Sequence, residues 1–221
     1  MKPIGLYIHI PFCKGKCPYC DFYSVTPHGS VIEDYTAEVC RRLSAETRIF
    51  DTVYFGGGTP SLLGAENICR ILGSVNAADG CEMTLECNPS DTGGRDSNFD
   101  FKAVADAGID RISMGLQSSS DSERRFLGRR AGADDAERAV ERANAAGIDN
   151  ISLDLMLGLA GQSTESVGRS IEFCRRLGAK HLSAYLLKLE QGTPLYTRRN
   201  ELHLPDEDET CLLYTSPSPR D

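Results

Sequence analysis

Four β-rich segments of the chain carry a polar or small residue at every second position, in a setting where strands are expected to be apolar throughout. Tyr7 and His9 alternate with Leu6, Ile8 and Ile10, and Thr84, Glu86 and Asn88 with Met83, Leu85 and Cys87. Ser113, Gly115 and Gln117 alternate with Ile112, Met114 and Leu116, and Ser152 and Asp154 with Ile151, Leu153 and Leu155. The setting is a repeating succession of apolar runs and helical stretches. Strands are predicted at 4–11, 52–57, 83–88, 111–117, 151–157 and 181–187, and helices at 32–49, 65–77, 99–107, 134–146 and 165–177. In the last helix Val167, Ile171, Cys174 and Leu177 recur at helical spacing. Ala-Gly pairs at 107–108 and 146–147 end two helices, because glycine accepts the left-handed cap. Such βα alternation predicts a parallel sheet, and parallel strands usually bury both faces under helices. Period 2 collects the polar residues on one side. Burying them unpartnered would cost on the order of 1–3 kcal/mol each, a cost that a polar, ligand-holding lumen removes. An open wound sheet also fits the strand count, but the lumen favours an α/β fold of incomplete (β/α)6 TIM-like barrel type, two units short of the closed eight.

Composition narrows the function. At 221 residues and 40% hydrophobic, the chain is long enough for one sizeable core. The net charge is −8 and no block of Lys and Arg occurs, so neither nucleic acid nor an anionic membrane is an expected partner. No apolar run approaches the ~18 residues of a membrane span, so no integral membrane segment is expected. The N-terminal MKPIGLYIHIPF leads into a strand without a cleavage-type ending. With nine cysteines and no secretory signal, reduced thiols and a cytoplasmic location are expected. Cys40, Cys69, Cys81, Cys87, Cys174 and Cys211 are scattered and read as small hydrophobes or incidental thiols.

The other three cysteines are not scattered. Cys13, Cys17 and Cys20 stand as C-x3-C-x2-C directly after the first predicted strand, at the end of an α/β sheet where ligands gather. A disulfide leaves one thiol over. Zinc needs a fourth ligand, which His9, Asp21 or His28 could supply. A four-iron cluster on three thiolates leaves one iron with an open position, as catalytic metals have. After the second strand come Gly56, Gly57 and Gly58, closed by Thr59 and Pro60, a turn in which backbone can approach a ligand closely.

The segments LYIHIPFCKGKCPYCDF, GGGTPS, ECNP and MGLQS resemble those of the radical S-adenosylmethionine (SAM) superfamily, and within it the oxygen-independent coproporphyrinogen III oxidase-like group. The likeness runs from about residue 4 to about 204. It implies a [4Fe–4S] cluster on Cys13, Cys17 and Cys20, with SAM chelating the open iron. Reduction of the cluster can then cleave the sulfonium to a 5′-deoxyadenosyl radical. It further implies that Gly57, Gly58 and Thr59 hold the methionine part of SAM. Glu86, Gln117, Arg129 and Asp154 match other SAM-contacting positions, with Arg130 beside Arg129. Tyr19 falls beside the adenine and Tyr7 at an aromatic position near the site. Phe22, two residues past the last cysteine, is similar to the haem-chaperone (HemW-like) branch, where the oxidases tend to carry a further Cys. The implied partners are SAM, haem or a porphyrin, an electron donor and a haem-acceptor protein. The alternative is oxidative decarboxylation of coproporphyrinogen III, so an oxidoreductase activity stays open. Members of the branch are longer and carry a C-terminal His-Asn-x-x-Tyr-Trp haem-binding segment, whereas this chain has no Trp. The expected organisation is therefore a radical SAM core over 1–204, followed by a disordered or foreign tail over 205–221 ending in the turn-rich TSPSPRD, with the family's C-terminal domain missing.

Overall fold

The computed structural model describes residues 4–215. Six parallel strands form one sheet in sequence order: β1 (Gly5–Ile10), β2 (Phe50–Gly57), β3 (Ala77–Cys87), β4 (Arg111–Gln117), β5 (Asn150–Leu157) and β6 (His181–Leu186). The connections carry α1 (Val31–Ser44), α2 (Ala65–Leu72), α3 (Pro89–Thr92), α4 (Phe101–Asp106), α5 (Asp121–Phe126), α6 (Ala133–Ala145) and α7 (Thr164–Arg176). Two helices follow the last strand, α8 (Pro194–Thr197) and α9 (Glu207–Thr215). Every neighbouring pair of strands is consecutive in sequence. Right-handed crossovers then place all the crossover helices on the same face of the sheet. The sheet curls with its free face inward, and among the described residues β1 and β6 do not pair. This is the incomplete barrel that the strand pattern predicts.

The alternation sorts itself between the two faces. Ile8, Phe55, Leu85, Ile112 and Ile151 are buried in the core between sheet and helices, as are Ile10, Cys87, Met114 and Leu153. Phe55, Leu85, Ile112 and Ile151 stand side by side in the ladder. Helical periodicity supplies the other half of this core. Ala136, Ala139, Val140 and Ala143 of α6 are buried, as are Ile68, Ile71 and Leu72 of α2. On the free face the register aligns Glu86, Ser113, Ser152 and His181 in one row, and Gly115, Asp154 and Ser183 in the next.

Several boundaries differ from those read in the sequence. The predicted helices 32–49 and 65–77 stop at Ser44 and Leu72. Strand β3 starts at Ala77 instead of 83, with Gly80 at φ 75° and a register shift between Phe50 and Thr52 in the strand beside it. This irregular start breaks the period-2 pattern that reveals the rest of the strand. Helix α5 is absent from the sequence reading because SSSDSERRF shows no apolar periodicity; its inward residues are Glu123 and Arg124. Residues 207–215, read as part of a disordered or foreign tail, form α9. Its first turn holds Glu207, Asp208 and Glu209, which suit the positive end of a helix, and Leu213 packs with Leu157 and Val167. The remainder of TSPSPRD, 216–221, lies outside the described residues. Among the described residues no helix is long and apolar enough to cross a membrane.

Leu85 is fully buried at the centre of the sheet, whereas Leu212 on α9 is exposed. Leu85→Ala should lower the unfolding free energy by about 2–5 kcal/mol, and Leu212→Ala by no more than about 0.5 kcal/mol. Urea denaturation of both variants checks this, and equal losses would contradict the burial pattern.

Candidate functional site

The loop after β1 is tied back onto the strand that launches it. Phe12 bridges Val25 in parallel, Val25 N donates to Pro11 O at 2.8 Å, and Cys13 N donates to Val25 O at 3.0 Å. Phe12 itself is buried, edge-on to Tyr35. Between these anchors the loop carries Cys13, Cys17 and Cys20, and Cys20 N closes a turn on Cys17 O at 3.1 Å. The glycine turn after β2 docks against the same place. Gly58 N donates to Ile10 O and Thr59 N to Phe12 O, each at 2.7 Å. A Cβ on Gly58 would stand 2.5 Å from Phe12 O, and Gly57 has φ 115°. Part of the demand for glycine here is therefore made by the neighbouring backbone.

The floor is the polar face of the sheet. Glu86 accepts from Tyr54 OH through Oε1 at 2.7 Å and from Gly57 N through Oε2 at 3.2 Å. Burial pushes its carboxyl above the usual carboxylate range, against the pull of those two hydrogen bonds, and nearby Asp154 adds to the rise. Burial likewise pushes Asp154 up, while a hydrogen bond with Ser183 and the nearby Arg129, His181 and Arg111 side chains pull it down. Asp154 Oδ1 and Ser152 Oγ are buried with no hydrogen-bond partner. Arg129 crosses the floor: its Nη2 donates to Gly115 O, and its Nη1 reaches Cys17 Sγ at 3.8 Å. A side chain at 115 would meet that guanidinium at 2.7 Å. Gln117 holds φ 71°, the only positive φ outside glycine among the described residues. That left-handed backbone costs about 1–3 kcal/mol. It lies where β4 slips one residue against β5, a bulge at the rim.

These walls enclose a cavity of about 480 Å³. Of the residues expected from the sequence, Cys13, Cys17, Cys20, Tyr19, Gly57, Gly58, Thr59, Glu86, Gln117, Arg129 and Asp154 all line it. Tyr7 does not. It lies on the same sheet face, stacked on Tyr54, with its hydroxyl 3.2 Å from His9 Nδ1. His9 and His28 are also outside the lining, whereas Asp21 and Phe22 are within it. Arg129, not Arg130, points inward; Arg130 is exposed. Tyr54, which donates to Glu86 from outside the lining, is the bracing side chain the sequence reading misses. Only the strand register reveals it, since Tyr54 is in register with Thr84 and so shares the polar face with Glu86. Ser113, Met156, Tyr185, Lys188 and Glu190 are among the other residues of the wall.

The donor set suits a soft metal centre beside a polar organic ligand. Three thiols of one loop are the chemistry of an iron–sulfur site, and the orphaned Asp154 and Ser152 oxygens call for a polar occupant or water. Cys13 Sγ sits 3.6 Å from Thr59 Oγ1, which joins the thiol loop to the glycine turn. Among the described residues no three His, Cys, Asp or Glu side chains are gathered around a single metal-holding point.

The sequence matches the model of the radical SAM superfamily over residues 7–174. The chain belongs to the radical SAM superfamily. It is 37% identical to the haem chaperone HemW of Haemophilus influenzae and 39% identical to that of Escherichia coli, each alignment covering 94% of this chain and 56% of the relative. It is also 35% identical to a mitochondrial radical SAM domain-containing protein 1 of Bos taurus, over 92% of this chain and 47% of the relative. The chain thus spans about half the length of the curated relatives it matches. Among solved structures, the coproporphyrinogen III oxidase HemN of Escherichia coli superposes with a TM-score of 0.81 at 21% identity, over 97% of this chain and 51% of that one, a likeness of fold.

The raised carboxyl of Glu86 has a measurable sign in the ligand-free chain. Above the ordinary carboxyl pKa, 4.5, the unfolded chain has released this proton while the folded chain still holds it, so this group's contribution to stability falls as pH rises through the folded value. Glu86→Gln removes the charge and keeps one acceptor: its oxygen can take Gly57 N while its amide NH2 donates to the Tyr54 hydroxyl oxygen. The stability of Glu86→Gln relative to wild type should therefore rise from pH 4.5 toward neutrality, measured by denaturant titration at each pH. A flat or falling difference would contradict the burial of a carboxylate here.

Proposed function

We propose that this chain is the cofactor-holding core of a haem chaperone, carrying a [4Fe–4S] cluster on Cys13, Cys17 and Cys20 and SAM in the adjoining cavity. The observation that carries the reading is the shared wall: three thiols of one loop border the same cavity as Glu86, Gln117, Arg129, Asp154 and the Gly57–Thr59 turn. Bound together, cluster and SAM supply one-electron chemistry, with the cluster as electron source and the sulfonium as acceptor.

The chain's own residues bind and orient. Gly57, Gly58 and Thr59 offer backbone groups to the methionine part, unobstructed by side chains in the first two. Arg129 is the cation placed for a carboxylate. Glu86 and Asp154 are acceptors for an ammonium or ribose hydroxyls, and Gln117 donates or accepts at the rim. Tyr19, packed with Leu127, Met156 and Leu159, presents a ring to an adenine. Tyr7 acts one layer further back, against Tyr54. Phe22, 67% exposed at the cavity edge, fits the haem-chaperone branch, and haem delivery is proposed for the full-length protein. The other partners proposed are an electron donor and a haem-acceptor protein, and the compartment proposed is the cytoplasm.

Anaerobic reconstitution should yield a brown protein with about four irons per chain. Cys17→Ala should retain a cooperative unfolding transition and lose the cluster. Undiminished iron in Cys17→Ala, or about one zinc and no iron in the wild type, would contradict the reading. Assays with coproporphyrinogen III should give no vinyl products, and their appearance would favour the oxidase.

A further inference from the structure

Two charged side chains are buried away from the cavity wall, on the helix that sequence periodicity does not reveal. Glu123 and Arg124 of α5 are each only 4% exposed. Both converge on Ser118, the residue that follows the left-handed Gln117. Ser118 Oγ donates to Glu123 Oε2 at 2.6 Å and accepts from Ser120 N at 2.9 Å, and Ser118 O accepts from Arg124 Nη1. Ser119 N donates to Ser170 Oγ of α7 at 3.0 Å. The backbone just beyond Gln117 is thus pinned on every side.

Glu123 Oε2 also accepts from Gln162 Nε2 at 3.1 Å. That amide donates to Met156 O at 2.9 Å, and Gln162 Oε1 accepts from Leu159 N at 3.3 Å. Gln117 and Met156 both line the cavity, one from the end of β4 and the other from the end of β5. One carboxylate oxygen therefore joins the two lips of the cavity, through Ser118 on one side and Gln162 on the other. A buried carboxylate costs more than a neutral residue, and the bulged, left-handed Gln117 persists only where its surroundings over-determine it.

We propose that Glu123 is a positioning residue for SAM: through Ser118 and Gln162 it fixes the Gln117 and Met156 lips in the arrangement that receives the cosubstrate. This rests on the reading of the cavity as a SAM site. Supporting groups one step behind a site commonly govern affinity by about 10–100-fold.

The test uses the anaerobically reconstituted full chain, with S-adenosylhomocysteine as an unreactive probe measured by calorimetry. Glu123→Ala should weaken binding about tenfold or more at unchanged iron content, in line with that range. Glu123→Gln retains an oxygen that can accept from both Ser118 and Gln162, and should bind within about threefold of wild type. Ser118→Ala, which removes one link with little loss of volume, gives a second route should Glu123→Ala not fold, and should weaken binding by at least about threefold. Amide hydrogen exchange should accelerate at 117–120 in Glu123→Ala while the β3 amides keep wild-type protection. A purely structural role would lower the melting temperature of Glu123→Ala and leave affinity and the 117–120 amides as in wild type, and that result would overturn the proposal. Wild-type protein with its full iron that does not bind the probe would overturn the cofactor reading and this inference with it. Tight probe binding by wild type and both alanine variants alike would overturn this inference alone.

Discussion

A parallel sheet whose inner face is polar has to put that face somewhere, and the rest of this structure follows from where it goes. Helices cover only the apolar side, because strand order runs one to six without reversal. The opposite side carries Thr84, Glu86, Ser113, Ser152 and Asp154, several of them buried and two with oxygens lacking partners. Water or a ligand must complete those groups, since leaving them dry would cost about 1–3 kcal/mol apiece. Curling the sheet about a polar interior lowers that cost and creates the cavity in the same step.

The chemistry sits where two loops are hydrogen-bonded to the end of the first strand. The loop of three cysteines is anchored at Pro11, Phe12 and Cys13 by Val25, and the glycine turn is anchored at Ile10 and Phe12. Both therefore refer their positions to the end of β1. Glu86 extends the link to β3 by accepting from Gly57 N, and Arg129 extends it across β4 to Cys17. Thiols, glycine turn and carboxylates are thus joined by short connections. Such rigid placement suits a site that must hold a metal cluster and a charged cosubstrate at fixed separation.

Much of this was legible because two periodicities coexist. Period 2 in β1, β3, β4 and β5 assigned faces correctly, and the Ala-Gly pairs at 107–108 and 146–147 do close α4 and α6, with positive φ at Gly108 and Gly147. What escaped lacks a pattern. Helix α5 buries Glu123 and Arg124, so hydrophobic spacing cannot reveal it, and β3 starts through an irregular stretch around Gly80. Helix α9 is set by a single inward residue, Leu213, and an acidic first turn. In the site, Tyr54 looked like an ordinary strand aromatic until the register put it beside Glu86, while Tyr7 stands one row too far from the rim to line the cavity. Motif residues are visible in sequence; the side chains that brace them become visible only through register.

The account turns on SAM occupying the space between thiols and carboxylates and completing the coordination that three cysteines leave open. Electron–nuclear double resonance on the reduced, anaerobic protein tests this most directly, using SAM labelled with 15N in the amino group and 17O in the carboxylate. The account predicts hyperfine coupling of both labels to the cluster. Coupling to a histidine nitrogen of the protein, with none to either label, would contradict it.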